Sequence, residues 1–181
     1  MAFTITDPAA GFLQIANIDD GFTPPNSATA IPSPPLALGM IVKGVDPTYG
    51  AGEFILLPGV ASCVVGLVVT YSPTTFACTA VPSTANLSQP LAVAMAANTS
   101  TTKFSWYQIE GLAVVKKTAV KVDPALTRRM YISGTAGRLM QTSAAGKNVL
   151  GAASANTATV TSTTSTVVVS INRPHAQGPI T

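Results

Sequence analysis

The residues that could do chemistry in this chain are few, and their spacing suits no common reaction. His175 is the single histidine, set between Arg173-Pro174 and Ala176-Gln177-Gly178-Pro179 close to the C-terminus. A catalytic imidazole needs an orienting partner and a packed setting, and a terminal tail beside two prolines promises neither. Ser100-Thr101-Thr102-Lys103 spells the S-x-x-K of penicillin-recognising enzymes, but its companion motifs are absent and nothing around it reads as a helix. Gly50-Ala51-Gly52 lacks the third glycine and the strand-to-helix context of a dinucleotide loop. Gly146-Lys147 lacks the upstream glycine and the following Ser or Thr of a P-loop.

The carboxylates Asp7, Asp19, Asp20, Asp46, Glu53, Glu110 and Asp123 are scattered, and the only adjacent pair, Asp19-Asp20, precedes Gly21 in a turn-like setting. A glycosidase-like pair would have to assemble in space, in a chain with only 6% aromatic residues to line a sugar groove. Cys63 and Cys78 are the only cysteines. Two do not make a disulfide scaffold in a chain of this size, and no further Cys or His stands near enough for a zinc site; buried free thiols are the expectation. The residues therefore point to a protein that is not an enzyme, with no catalytic, cofactor-binding or metal site.

The elements that would position these side chains read as strands. Of the 181 residues, 47% are hydrophobic and only 9% charged. The apolar share is mostly Ala and Val alongside abundant Thr, and branched side chains pack well on a pleated surface while losing rotamer freedom in a helix. Fourteen Gly and fourteen Pro punctuate the chain as short strands require. The expected fold is all-β: a small β-barrel or β-sandwich, jelly-roll or β-tulip-like, over residues 39–181, preceded by an extended Pro-rich arm over residues 1–38. The best apolar run, residues 60–69, is about half the roughly 20 residues of a membrane helix and holds Ser62 and Gly66. The N-terminus lacks the basic and apolar regions of a signal peptide. A soluble chain with apolar surface covered by other subunits is expected.

Within the arm, Pro24-Pro25, Pro32 and Pro34-Pro35 lock φ and remove amide donors, favouring an extended course. Large apolar residues, among them Phe12, Ile15, Phe22 and Ile31, argue against a solvated tail and for an arm lying on a neighbour. Beyond it, strands are expected at residues 40–43, 54–57, 63–71, 76–81, 104–115, 129–132, 138–140, 148–152, 157–161 and 166–171. Residues 91–97 suit a strand or a helical turn. Residues 133–137 read as the connection of a hairpin. In residues 104–115, alternation puts Trp106, Gln108 and Glu110 on one face and Tyr107 and Ile109 on the other, with Gly111 allowing a bulge or bend.

The few charges are sorted. Residues 1–60 hold five acids against Lys43, a net of −4, and residues 61–181 hold nine bases against Glu110 and Asp123, a net of +7. Lys116, Lys117, Lys121, Arg128 and Arg129 cluster in sequence. Three readings stand side by side: a nucleic-acid face, a solvated strand edge that discourages aggregation, and a patch that docks the acidic arm, through Asp19 and Asp20, of a neighbouring copy. Direct nucleic-acid binding is the least favoured, because no aromatics interleave the bases.

Residues 104–115, together with residues 45–54 (Val45-Asp46-Pro47-Thr48-Tyr49-Gly50-Ala51-Gly52-Glu53-Phe54), residues 92–99 and residues 168–174, resemble the head decoration, or capsid cement, proteins of tailed bacteriophages. The resemblance covers about residues 40–175 and leaves the arm outside. It implies a β domain on the exterior of the virion capsid, made in the host cytoplasm, that bridges neighbouring major capsid protein subunits as a homodimer or homotrimer and performs no chemistry. No functional residue carries over individually. The residues expected at inter-subunit contacts are Phe12, Ile15, Asp19, Asp20, Phe22, Ile31, Lys116, Lys117, Arg128 and Arg129. A phage tail or baseplate component and a receptor- or glycan-binding β module are the alternatives.

Overall fold

Alternating, β-branched segments separated by Gly, Pro and Asx turns give an all-β chain. The computed structural model describes residues 37–101 and 103–179, together with the backbone of Thr4–Ile5. No helix occurs among the described residues. The expectations for Phe12, Ile15, Asp19, Asp20, Phe22 and Ile31 lie outside the described residues, as does most of the 1–38 arm.

The strands are β1 (Thr4–Ile5), β2 (Ile41–Asp46), β3 (Gly50–Pro58), β4 (Val68–Tyr71), β5 (Cys78–Ala80), β6 (Leu91–Ala94), β7 (Phe104–Lys116), β8 (Arg129–Ile132), β9 (Leu139–Met140), β10 (Asn148–Ser154) and β11 (Thr166–Ala176). They form one curled antiparallel sheet, a half-barrel, in the order β1-β2-β3-β7-β11-β10-β8-β9, with β6, β4 and β5 branching from β7. The hairpin β2–β3 turns on Asp46, whose carboxylate accepts from the amides of Thr48 (2.7 Å) and Tyr49 (2.9 Å), a side-chain mimic of a backbone turn. The hairpin expected around residues 133–137 is β8–β9, paired Tyr131↔Met140 and Ile132↔Leu139.

Strand β7 organises the core because its two faces and two halves pack differently. Phe104 and Trp106 join Phe54, Leu56, Val42 and Met95 on one side. Tyr107 and Ile109 point the other way, into a cluster with Ile55, Leu57, Cys63 and Val69. Beyond Gly111, Ala113 and Val115 enter a third cluster with Met130, Ile132, Val167, Val169 and Ile171. The switch is made at a bulge: β3 pairs Glu53 with Glu110 but Phe54 with Gln108, skipping a residue. Gly111 sits there at φ +100°, where a side chain would strike the Ala51 carbonyl. Gln108, fully buried, fastens the bulge by donating from Nε2 to the carbonyls of Glu110 (3.0 Å) and Leu112 (3.1 Å).

Several expectations need correction. Residues 61–67 are turns, and β4 begins only at Val68. Ser62 and Gly66 take positive φ, 59° and 82°, which breaks the ladder and leaves Val64 and Val65 exposed. Residues 91–97, which suited a strand or a helical turn, contain strand β6, the first of the two readings. Residues 157–161 form no strand; Val160 makes a single bridge to Val122. The C-terminal segment read as a tail continues β11 through His175 to Ala176.

Candidate interaction surface

The basic cluster of the sequence is divided by the fold. Strand parity explains how: Ala113 and Val115 face the core, Lys116 does not, and Lys117 falls on the buried side again. Lys117 is 1% exposed, which corrects its place in an exposed basic patch. Its Nζ donates to the carbonyls of Thr118 (3.1 Å) and Val120 (2.8 Å), and desolvation lowers its pKa below the usual lysine value. Lys116, half-buried, pairs with Thr166 at the end of β7. Arg128 and Arg129 are exposed and lie across the sheet: Arg129 opposes Ala153 of β10, and Arg128 Nη1 donates to the Ser154 carbonyl at 3.1 Å.

Just before these arginines, the chain displays an apolar ledge. Leu126 is 71% exposed, and Val120 is exposed with it. The two line an open groove of about 240 Å³ with Lys121, Thr127, Gln141 and Thr142. The ledge is held from beneath by Gln141, which is buried. Its Oε1 accepts from the Asp123 amide at 2.7 Å, and its Nε2 donates to the carbonyls of Asp123 (2.7 Å) and Thr127. Asp123 in turn accepts from the Ala125 amide (3.0 Å) and meets Lys121 at 3.5 Å. A loop stapled at both ends holds Leu126 outward without a collapse onto the core. Neither Leu126 nor Gln141 stands out in the sequence, where nothing local signals the buried staple.

A second surface crosses the other end of the sheet. Lys43, Glu53, Glu110 and Asn172 form a row across four strands, in the registers Lys43↔Glu53, Glu53↔Glu110 and Asn172↔Glu110. Arg173, within β11 and at φ +42°, reaches Glu53 at 2.6 Å. A groove of about 240 Å³ runs here between Lys43, Val45, Ala51, Glu53 and Glu110.

Of the residues considered for chemistry, Glu53 and Glu110 meet as register partners, and Cys63 and Cys78 pack into one cluster. Among the described residues, no group of three or more His, Cys, Asp or Glu could hold a metal ion. His175 is half-buried, with Nδ1 2.8 Å from the Ala176 carbonyl. Both cysteines are free, Cys63 buried and Cys78 half-buried. No described helix is long and apolar enough to cross a membrane. Comparison with protein-family models finds no family that matches this chain, and comparison with curated proteins finds no match either.

Proposed function

We propose that this chain is a structural protein of a phage virion that binds the capsid exterior and cements neighbouring major capsid subunits. The observation that carries the reading is the stapled ledge: Val120 and Leu126 exposed beside Lys121, with Arg128 and Arg129 following in the chain. A fixed apolar anchor rimmed by cations is the composition of a protein contact, where a desolvated centre supplies affinity and the charged rim sets orientation. The resemblance of residues 40–175 to decoration proteins supplies the setting. Such contacts need not be individually strong, because a symmetric shell multiplies them.

The test is the copy number of the chain relative to the major shell protein in purified particles. Stoichiometry near that of the shell protein is the expected result; a handful of copies per particle overturns the reading and favours a tail or baseplate position. Leu126→Asp should lower occupancy on the particle while leaving the melting temperature of the free protein within about 2 °C, since surface changes cost within about 0.5 kcal/mol.

A further inference from the structure

The groove beside Leu126 is bounded by Val120, Lys121, Thr127 and Thr142 and measures about 240 Å³. That is below the roughly 300–1,000 Å³ of small-molecule sites, so it suits one large side chain of a partner. Gln141 fixes its loop from beneath through Asp123 and Thr127. Docking therefore meets a surface with little left to order.

The charge around the groove selects the partner. Lys121 lines it, and Arg128 and Arg129 follow Leu126 by two and three residues. Their Cα atoms thus lie at most about 11 Å from that of Leu126, about one Debye length at 0.1 M salt. The one acid of the loop, Asp123, is engaged by the Ala125 amide and by Lys121. Arg129 is exposed and has no carboxylate partner among the described residues.

A second copy of the described domain supplies no match. Residues 37–179 hold ten bases against four acids, a net of +6. Asp46 is buried and accepts from the amides of its own turn, and Glu53 is taken by Arg173. Asp123 meets Lys121, and Glu110 shares its groove with Lys43. No acidic surface among the described residues faces outward to meet the ledge of another copy, and like charges across a contact cost affinity.

We propose that the ledge receives one aromatic side chain carried between acidic residues on a different protein. The ring fills the groove against Val120 and Leu126, and the Lys121 ammonium adds a cation–π contact. The flanking carboxylates meet Arg128 and Arg129. This rests on the ledge as the protein contact proposed above, but not on where the partner resides.

An NMR titration of the whole protein tests it. The probe is a capped peptide with one phenylalanine between two pairs of glutamates. Control peptides replace the phenylalanine by alanine or the glutamates by lysines, and a duplex DNA oligonucleotide serves as a second polyanion. Resonances of Val120, Leu126 and Thr142 should move with a Kd on the order of 1 mM. Each control peptide should bind roughly tenfold more weakly, as should the probe to Leu126→Ala or Arg129→Glu chains. No movement at several mM probe overturns the proposal, as does an equal response to the lysine peptide. Tighter binding of the DNA at these resonances assigns the ledge to nucleic acid instead. Movement on concentrating the protein alone assigns it to a second copy; either outcome overturns the proposal. No particle enters the titration, so copy number can fail while the ledge binds, and the reverse.

Discussion

Tyr107 and Cys78 donate to the same acceptor: the Pro58 carbonyl receives Tyr107 Oη at 2.9 Å and Cys78 Sγ at 3.0 Å. Cys63 lies in the same cluster as Tyr107, with Sγ 3.4 Å from the Ala96 carbonyl. Three weak acids thus share one apolar pocket, and burial disfavours the charged form of each. Desolvation pushes Cys78 up to about 12 from 9.0, a shift that the Tyr107 hydrogen bond opposes and the nearby Cys63 reinforces. Cys63 and Tyr107 are raised as well, chiefly by desolvation.

The alkaline behaviour of the protein follows. A folded-state pKa above its unfolded value contributes stability that is complete below the unfolded pKa and is lost as pH rises through the folded one. For Cys78 this window runs from about 9 to about 12. Denaturant midpoints should therefore fall as pH climbs past 9. Cys78→Ala should make that fall shallower by at most about 1.4 kcal/mol per pH unit, the slope of a single proton. An unchanged slope in the variant would show that the thiol is not held neutral by the fold.

Lys117 acts in the opposite direction. Its folded pKa lies below 10.5, so the unfolded chain binds more protons between the two values and stability rises with pH there. Lys117→Met should remove this rise. It should also leave the Thr118 and Val120 carbonyls without their donor, a cost of about 1–3 kcal/mol for each carbonyl left without solvent. Titrating stability from pH 7 to 10.5 in the variant and the wild type separates the two effects.

Gly111→Ala tests the bulge. At φ +100° an L side chain is strained, and the Ala51 carbonyl occupies the space that the new methyl would need. Strain alone costs about 1–3 kcal/mol, and the collision adds to it. Chemical denaturation should show a loss above 2 kcal/mol, roughly the strain figure with the clash included.

Gln108→Leu attacks the same bulge from its side chain. The carbonyls of Glu110 and Leu112 lose the amide that they share, and unfolding by urea should report a loss of about 2–4 kcal/mol from two acceptors left without it. Gln108→Glu should be worse than Gln108→Leu at neutral pH, since it sets a carboxylate against both carbonyls.

The ion pair between Arg173 and Glu53 should matter far less. Both side chains keep solvent contact, Arg173 at 57%. A double-mutant cycle with Arg173→Ala and Glu53→Ala should return a coupling below about 1 kcal/mol, falling further in 1 M salt.

Much of the sheet is legible in the residues. Alternation in residues 104–110 separates the Trp106 cluster from the Tyr107 cluster, and Gly111 marks the bulge between the two halves of β7. The Asp46-Pro47 turn and the residues 133–137 connection mark their hairpins. Hydropathy misleads at residues 61–67, because Val64 and Val65 look like strand while Ser62 and Gly66 take backbone angles that end a ladder. Lys117 shows the reverse. Its charge suggests surface, but its parity with Ala113 and Val115 places it inside, and that parity was readable. The branching of β6, β4 and β5 from β7 is a long-range choice that no local pattern encodes. The ledge was hidden for a similar reason, since Gln141 and Thr127 meet only once the chain has folded.

The largest hydrophobic cluster draws Val167, Val169, Ile171 and Ala176 from β11, the final strand, and joins them to Ala113 and Val115 of β7. During synthesis, β2, β3 and the first half of β7 can assemble as soon as they emerge. The second half of β7 waits longer for its strand partner, because its ladder, Thr166↔Lys116 to Ile171↔Gly111, is made with β11. The ladder along the second half of β7 is thus completed only after β8 and β10 have been made, by a strand that lies far from its partner in the chain.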